Sequence, residues 1–170
     1  DQVLPQLNVE LSIKTRLGYH NRTELAVLLP ALDRYPLKEI IIHPRLGKQL
    51  YKGYTDPECF AVCQSLSRHP LVYNGDINDL ATYTTLAARF PTVGRWMLGR
   101  GALGNPFLAE EIKGLPAGAQ EKRKKRLSAF HQDLFSRYQE RLSGPSHILG
   151  RLKQLWTYLI ISFPGQEKFQ

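Results

Sequence analysis

The sequence predicts an α/β fold, the carboxyl-terminal half of a (β/α)8 TIM barrel, followed by an all-helical basic domain. Three observations predict it. Short runs of apolar and β-branched residues alternate with helical periodicity through the first 118 residues. The residues ending those runs, Lys14, His43, Asn74 and Gly99, recur at intervals of 29, 31 and 25, about one βα module each. Positive charge gathers beyond Gly118, where the helical pattern continues without further strands.

The first unit opens on Val9-Glu10-Leu11-Ser12-Ile13, a β-rich run ending at Lys14–Gly18. Asn21, with Glu24 three residues on, then predicts a capping box for a helix carrying Leu25, Leu28, Leu29 and Leu32. The second unit begins with Glu39-Ile40-Ile41-Ile42 and stops at His43-Pro44-Arg45. A turn-rich loop, Gly47 to Asp56, leads into a helix from Pro57 to Ser67. Leu71-Val72-Tyr73 forms the third strand and runs into Asn74-Gly75-Asp76, before a helix with Leu80, Tyr83, Leu86, Ala87 and Phe90 on one side. The fourth strand, Arg95–Leu98, ends at Gly99-Arg100-Gly101.

Repeated βα units imply parallel strands, and parallel strands assemble their sites at the carboxyl ends. The two glycine-containing strand ends, Asn74-Gly75-Asp76 and Gly99 to Gly104, let backbone N–H groups approach an anion, with Arg100 beside them to pair its charge. In (β/α)8 barrels the loops after strands seven and eight are the frequent phosphate site, so the four strands read as five to eight. The predicted domains are 1–114 for the half-barrel and 119–170 for the helices.

Within the second domain, Leu127, Phe130, Leu134, Tyr138 and Leu142 form an apolar stripe opposite Lys122-Arg123-Lys124-Lys125-Arg126. Gly144-Pro145-Ser146 breaks that helix and caps a second, whose buried side is Ile148, Leu149, Leu152, Leu155, Trp156 and Leu159. Up to Gly118 there are 13 basic and 11 acidic residues, a net of +2; beyond it there are 10 and 4, a net of +6. A polyanion is the natural partner for such a segment, although the Lys122–Arg126 run reads equally well as a solubilising face. No apolar run is long enough to span a bilayer. Two cysteines, Cys59 and Cys63, are too few for a disulfide framework and lack the second pair of a structural zinc site, which predicts a reducing compartment. Asp1–Pro5 has neither the features of a signal peptide nor an initiator methionine, so the chain reads as a fragment.

Four ordered stretches carry a closer likeness: Leu11–Gly18; Ile41–Arg45 with Gln49–Gly53; Tyr73–Ile77; and Met97–Pro106. In order and spacing they resemble the tRNA-dihydrouridine synthases, flavin enzymes that reduce selected uridines of tRNA to 5,6-dihydrouridine. The resemblance implies FMN as cofactor and NADPH as reductant, with hydride passing to C6 of uracil. Lys14 and His43 would line the flavin; Asn74, Gly75 and Asp76 its ribityl-phosphate side; and Gly99 and Arg100 would clamp the phosphate. The family's catalytic cysteine, which protonates C5, sits in an Asn-x-Gly-Cys-Pro-type loop in the first half of the barrel. No such loop exists here, so no catalytic residue is assigned, and no metal ligand either. Cys59 and Cys63 read as core residues.

The resemblance further implies tRNA as partner, a cytoplasmic location, and a remaining half-barrel supplied by an amino-terminal segment. Arg45 and Lys48 beside the second strand, and Arg151 and Lys153 in the tail, are the expected RNA contacts. Pro44, where many relatives carry glycine, and Leu46-Gly47-Lys48, where a hydroxyl residue and a base are common, are departures at that loop. Alone, these residues are expected not to catalyse, because half a barrel leaves open sheet edges and an incomplete pocket. Two other classes stay open at this point: a non-catalytic RNA-binding module with a vestigial half-barrel, and a different FMN- or phosphate-binding barrel enzyme.

Overall fold

A computed structural model of the chain describes residues 9–116 and 118–163. Asp1–Pro5, read above for targeting signals, and Ala117 of the expected linker lie outside them. Contacts divide the described residues into two compact units. One runs through Ile77 and resumes from Thr84 to Gly99; the other holds Asn78–Tyr83 and everything from Arg100 onward. The division at Arg100 precedes the Gly114–Gly118 linker at which the sequence was divided.

The first unit is built on four parallel strands, β1 (Leu11–Gly18), β2 (Leu37–Leu46), β3 (Leu71–Asn74) and β4 (Arg95–Met97), hydrogen-bonded in the order β1-β2-β3-β4. Helices α1 (Glu24–Leu32), α2 (Pro57–Leu66) and α3 (Leu80–Arg89) fall between successive strands. A strictly sequential parallel order fits part of a (β/α)8 barrel; a doubly wound sheet reverses direction at a switch point.

Two strands run further than the apolar runs indicated. β1 continues through Lys14 to Gly18, and β2 through His43 to Leu46, because each supplies the other's hydrogen-bonding partner: Lys14 pairs with Ile41, Arg16 with His43 and Gly18 with Leu46. Lys14 and His43 therefore lie within strands rather than at their ends. Pro44, which has no N–H to donate, falls where the register shifts between Arg16 and Gly18, the kind of irregularity that tolerates proline.

Side chains alternate across the sheet, and the register separates them by chemistry. One face carries Leu17, Ile40, Ile42, Leu71 and Tyr73, each at most 8% exposed. Phe60 of α2, Tyr73 and Phe90 stack there with ring centroids 4.9–5.9 Å apart, and Trp96 lies 5.6 Å from Tyr73. The opposite face holds the polar side chains, Ser12, Lys14 and Arg16 of β1, Glu39, His43 and Arg45 of β2, Asn74 of β3 and Arg95 of β4, with Ile41, Val72 and Met97 set among them.

Helix α1 starts at Glu24 rather than at Asn21. The Glu24 carboxylate instead accepts the backbone N–H groups of Tyr19, His20 and Asn21, and Asn21 Oδ1 accepts from Thr23. Leu25 and Leu29 are buried, while Leu28 points outward. Helix α2 has the predicted start, with Pro57 in its first turn and Asp56 accepting the Cys59 N–H.

The second unit contains α4 (Arg100–Gly104), α5 (Leu108–Ile112), α6 (Gln120–Arg141) and α7 (Pro145–Leu159). The stripe expected to be buried on α6 is only half-covered, and Phe130 is exposed. On α7 Leu152 and Leu159 are buried, but Leu149 and Trp156 are not. Gly144, at φ 86°, precedes α7 with Pro145 in the first turn, and no side chain caps it; Ser146 falls inside the helix instead. Among the described residues no helix is long and apolar enough to cross a membrane.

Candidate functional site

The polar sheet face is organised by Arg45. This side chain is 3% exposed, and its guanidinium grips Asp76 through two bonds, Nη1 to Oδ1 at 3.0 Å and Nη2 to Oδ2 at 2.5 Å. Nη2 also donates to the Gly53 carbonyl at 2.7 Å, and Nη1 lies 3.2 Å from His43 Nε2. Among the described residues Arg45 Nε is buried without a partner. Arg45 thus ties the loop after β2 to the loop after β3. Arg45, expected as an RNA contact, is placed inside the fold, with its Nη atoms bonded to Asp76, Gly53 and His43.

The clamp explains the backbone beyond β3. Asp76 has φ 50°, in the left-handed region, which aspartate tolerates better than most residues and which the bidentate arginine holds. Gly75 brings the chain close to its neighbours. A Cβ there would stand 2.6 Å from the Thr55 methyl and 3.1 Å from His43 Cδ2.

His43 is buried beside three cations. Burial first, then Arg16, Arg45 and Lys14, push its pKa down to about 4, with Asp76 opposing. The imidazole is therefore neutral near pH 7. An arginine can only donate, so His43 Nε2 accepts and the ring proton sits on Nδ1. Lys14, exposed and opposite Ile41, has its pKa lowered by partial burial and then by Arg16. Arg16 donates to the Leu46 carbonyl at 2.7 Å and lies over the Tyr51 ring at 5.7 Å. Among the described residues neither Lys14 nor Arg16 is in an ion pair, unlike Arg45 with Asp76 and Arg95 with Glu39. Two like charges on one sheet face with no counter-ion suit an anionic ligand. Asn74 donates its amide to the Met97 carbonyl at 2.9 Å, which leaves Oδ1 as its acceptor.

The other expected residues are more dispersed. Lys48 is exposed on a short 3-10 turn, Gly47–Gln49. Gly99 closes the first unit, and Arg100 opens α4 in the second. Arg151 and Lys153 are both exposed on α7, but two positions apart on a helix they cannot share a face. Cys59 and Cys63 lie on α2, where burial raises both thiols, Cys63 to about 11, so neither is a ready nucleophile. Arg16, Glu39, Tyr51 and Arg95 were not singled out from the sequence. The alternation Ser12, Lys14, Arg16 against Ile13, Thr15, Leu17 was the signal for the first of them.

A profile of the dihydrouridine synthase family matches residues 1–160. The chain belongs to this family. Its curated relatives include a "Probable tRNA-dihydrouridine synthase" of Rhodobacter capsulatus, 27% identical over 151 residues, covering 88% of this chain and 46% of that protein. A protein of the same printed name from Staphylococcus aureus is 30% identical over 135 residues, covering 76% and 40%. A "tRNA-dihydrouridine(47) synthase NAD(P)(+)-like" protein of Xenopus tropicalis is 36% identical over 110 residues, covering 63% of the chain and 17% of that protein. This member of the dihydrouridine synthase family thus spans less than half the length of each.

Proposed function

We propose that the chain is the carboxyl-terminal half of the barrel, strands five to eight, with the start of a helical tRNA-binding domain, in an FMN-dependent tRNA-dihydrouridine synthase using NADPH. The observation that carries the reading is the polar sheet face, on which Lys14, Arg16 and a neutral His43 stand together and, among the described residues, neither cation is in an ion pair. This donor set fits a flavin, whose anionic groups need cations and whose ring edge takes uncharged donors. Bound FMN supplies the hydride chemistry of uridine reduction.

The chain's own residues bind and orient. Lys14 and Arg16 hold negative charge on the sheet face, beside the buried His43 and Arg45. His43 offers an Nδ1–H donor that adds no charge, and its orientation is fixed through Nε2 by Arg45. Asn74, Gly75 and Asp76 would serve the ribityl-phosphate side, and Gly99 and Arg100 the phosphate. Neither Cys59 nor Cys63 is assigned as the donor of the C5 proton, because both lie on α2 rather than on the polar sheet face.

The test is reconstitution of the full-length enzyme with FMN, followed by assay of dihydrouridine in an unmodified tRNA. The expected result is a bound-flavin spectrum and dihydrouridine formation, both weakened in Lys14→Ala. A full-length protein that retains no flavin and leaves tRNA unchanged overturns the reading.

A further inference from the structure

The loops following β1 and β2 carry exposed tyrosines that the flavin-facing residues do not account for. Tyr54 is 91% exposed and Tyr19 is 61% exposed. Neither belongs to a floppy segment. The first loop is pinned by three backbone N–H groups donating to the Glu24 carboxylate. The second is pinned by Arg45 on the Gly53 carbonyl, by Gln49 Oε1 accepting the Leu46 N–H, and by Pro44 O accepting the Asp56 N–H at 2.7 Å. The two loops touch: a Cβ on Gly47 would lie 2.6 Å from Tyr19 Cδ2, so that ring rests on the glycine.

A rigid loop loses little entropy when its aromatic side chain meets a partner, so such rings are suited to stacking. The charge around them selects the partner. Lys48 and Lys52 are exposed and without ion pairs among the described residues, while the nearby acids are occupied: Glu24 by backbone donors, and Asp56 by Arg22 at 2.6 Å and the Cys59 N–H. Exposed rings interleaved with uncompensated lysines match a polyanion that also offers flat π faces, which is unpaired RNA.

Resting on the function proposed above, we infer that Tyr19 and Tyr54 stack on the unpaired nucleotides flanking the target uridine, while Lys48 and Lys52 meet their phosphates. The loops would thereby position the tRNA at the carboxyl ends of β1 and β2, above the polar sheet face.

The experiment measures tRNA binding and dihydrouridine formation by the full-length, FMN-loaded enzyme. Tyr54→Ala and Tyr19→Ala should each weaken tRNA binding about fivefold or more, while Tyr54→Phe should stay within about twofold of the parent. A tRNA made abasic beside the target uridine should bind the parent enzyme more weakly and show no further loss with the alanine variant. Lys48→Ala should instead lower the magnitude of the slope of log affinity against log salt by about 0.7, the value for one phosphate of a single strand. Retained flavin absorbance and an unchanged thermal midpoint separate these losses from unfolding. Alanine variants that bind tRNA like the parent overturn the inference, as does loss of a protein partner in native mass spectrometry with tRNA affinity intact. A parent enzyme that binds tRNA through the tyrosines yet forms no dihydrouridine would instead defeat the proposed activity alone.

Discussion

Along β2 both faces are buried, but different forces hold them. Ile40, Ile42 and Leu46 point into the aromatic and aliphatic layer beneath the helices, where the gain is area removed from water and neighbours are interchangeable in kind. Glu39, His43 and Arg45 point the other way and are equally covered, yet each needs a particular partner: Arg95, Arg45 and Asp76. The apolar face tolerates any filling of the right volume; the polar face tolerates only the right set of donors and acceptors. Stability and specificity are thus assigned to opposite sides of one strand.

The comparison is broken most severely by emptying the apolar side. Phe60 is fully buried against Tyr73 and Phe90, so Phe60→Ala should cost about 3–5 kcal/mol in urea unfolding of the full-length enzyme. Phe60→Leu should recover much of the loss, because volume and apolarity are all that this site requires.

The polar side responds to partner loss rather than volume loss. Asp76→Ala strands the buried Arg45 and should cost about 2–3 kcal/mol, slightly less than for a fully buried pair because Asp76 is a quarter exposed. The double variant Arg45→Met with Asp76→Leu should be less destabilised than Asp76→Ala alone, since no charge is then left unpaired. It should nevertheless lose flavin, as His43 would no longer be oriented. A double variant less stable than the single one would show that Arg45 acts on this face by packing alone.

Much of this division was written in the sequence and only part of it was legible. The four βα units, the start of α2 and the end of β3 follow from local signals: Asp56 before Pro57, Asn74-Gly75 after Tyr73. The length of β1 and β2 did not, because Lys14–Gly18 and His43–Leu46 are strands through their mutual register, a pairing no local pattern reports. Arg45 illustrates the same limit for the site. Beside a strand end it reads as an exposed base, and only the long-range meeting with Asp76, 31 positions away, makes it an internal clamp. The Lys122–Arg126 run likewise looks uniform in sequence and is divided by the fold.

A gentler probe of the polar side is pH. His43 is held neutral, with its pKa lowered from 6.5 to about 4, so between those values the unfolded chain binds the proton that the folded chain refuses. Its contribution to stability is complete above about pH 6.5 and declines as pH falls toward 4. Denaturant midpoints should therefore drop across that window in the parent and drop less in His43→Gln, once the carboxylates common to both are subtracted. An equal slope in the two would mean that burial and the surrounding cations do not hold His43 neutral.

The smallest expected changes in stability lie on α6, where they separate two roles within five residues. Arg123 folds back over the Phe107 ring at 4.6 Å and pairs with Glu111 at 2.8 Å; Arg126 also covers Phe107 and pairs with Glu110. Lys122 and Lys125 are exposed and enter no ion pair among the described residues. Arg123→Ala should then cost about 1 kcal/mol of stability through its stacked, half-buried guanidinium, whereas Lys125→Ala should change stability by less than about 0.5 kcal/mol. For tRNA the order inverts. An unpaired lysine that meets a phosphate releases a counter-ion, so Lys125→Ala should reduce the salt slope of tRNA binding by about 0.9, and Arg123→Ala by much less. If the slope falls equally for both, the pairing with Glu111 gives way when RNA arrives and the run acts as one basic face. If it falls for neither, the run keeps the helix soluble and makes no contact with tRNA phosphates.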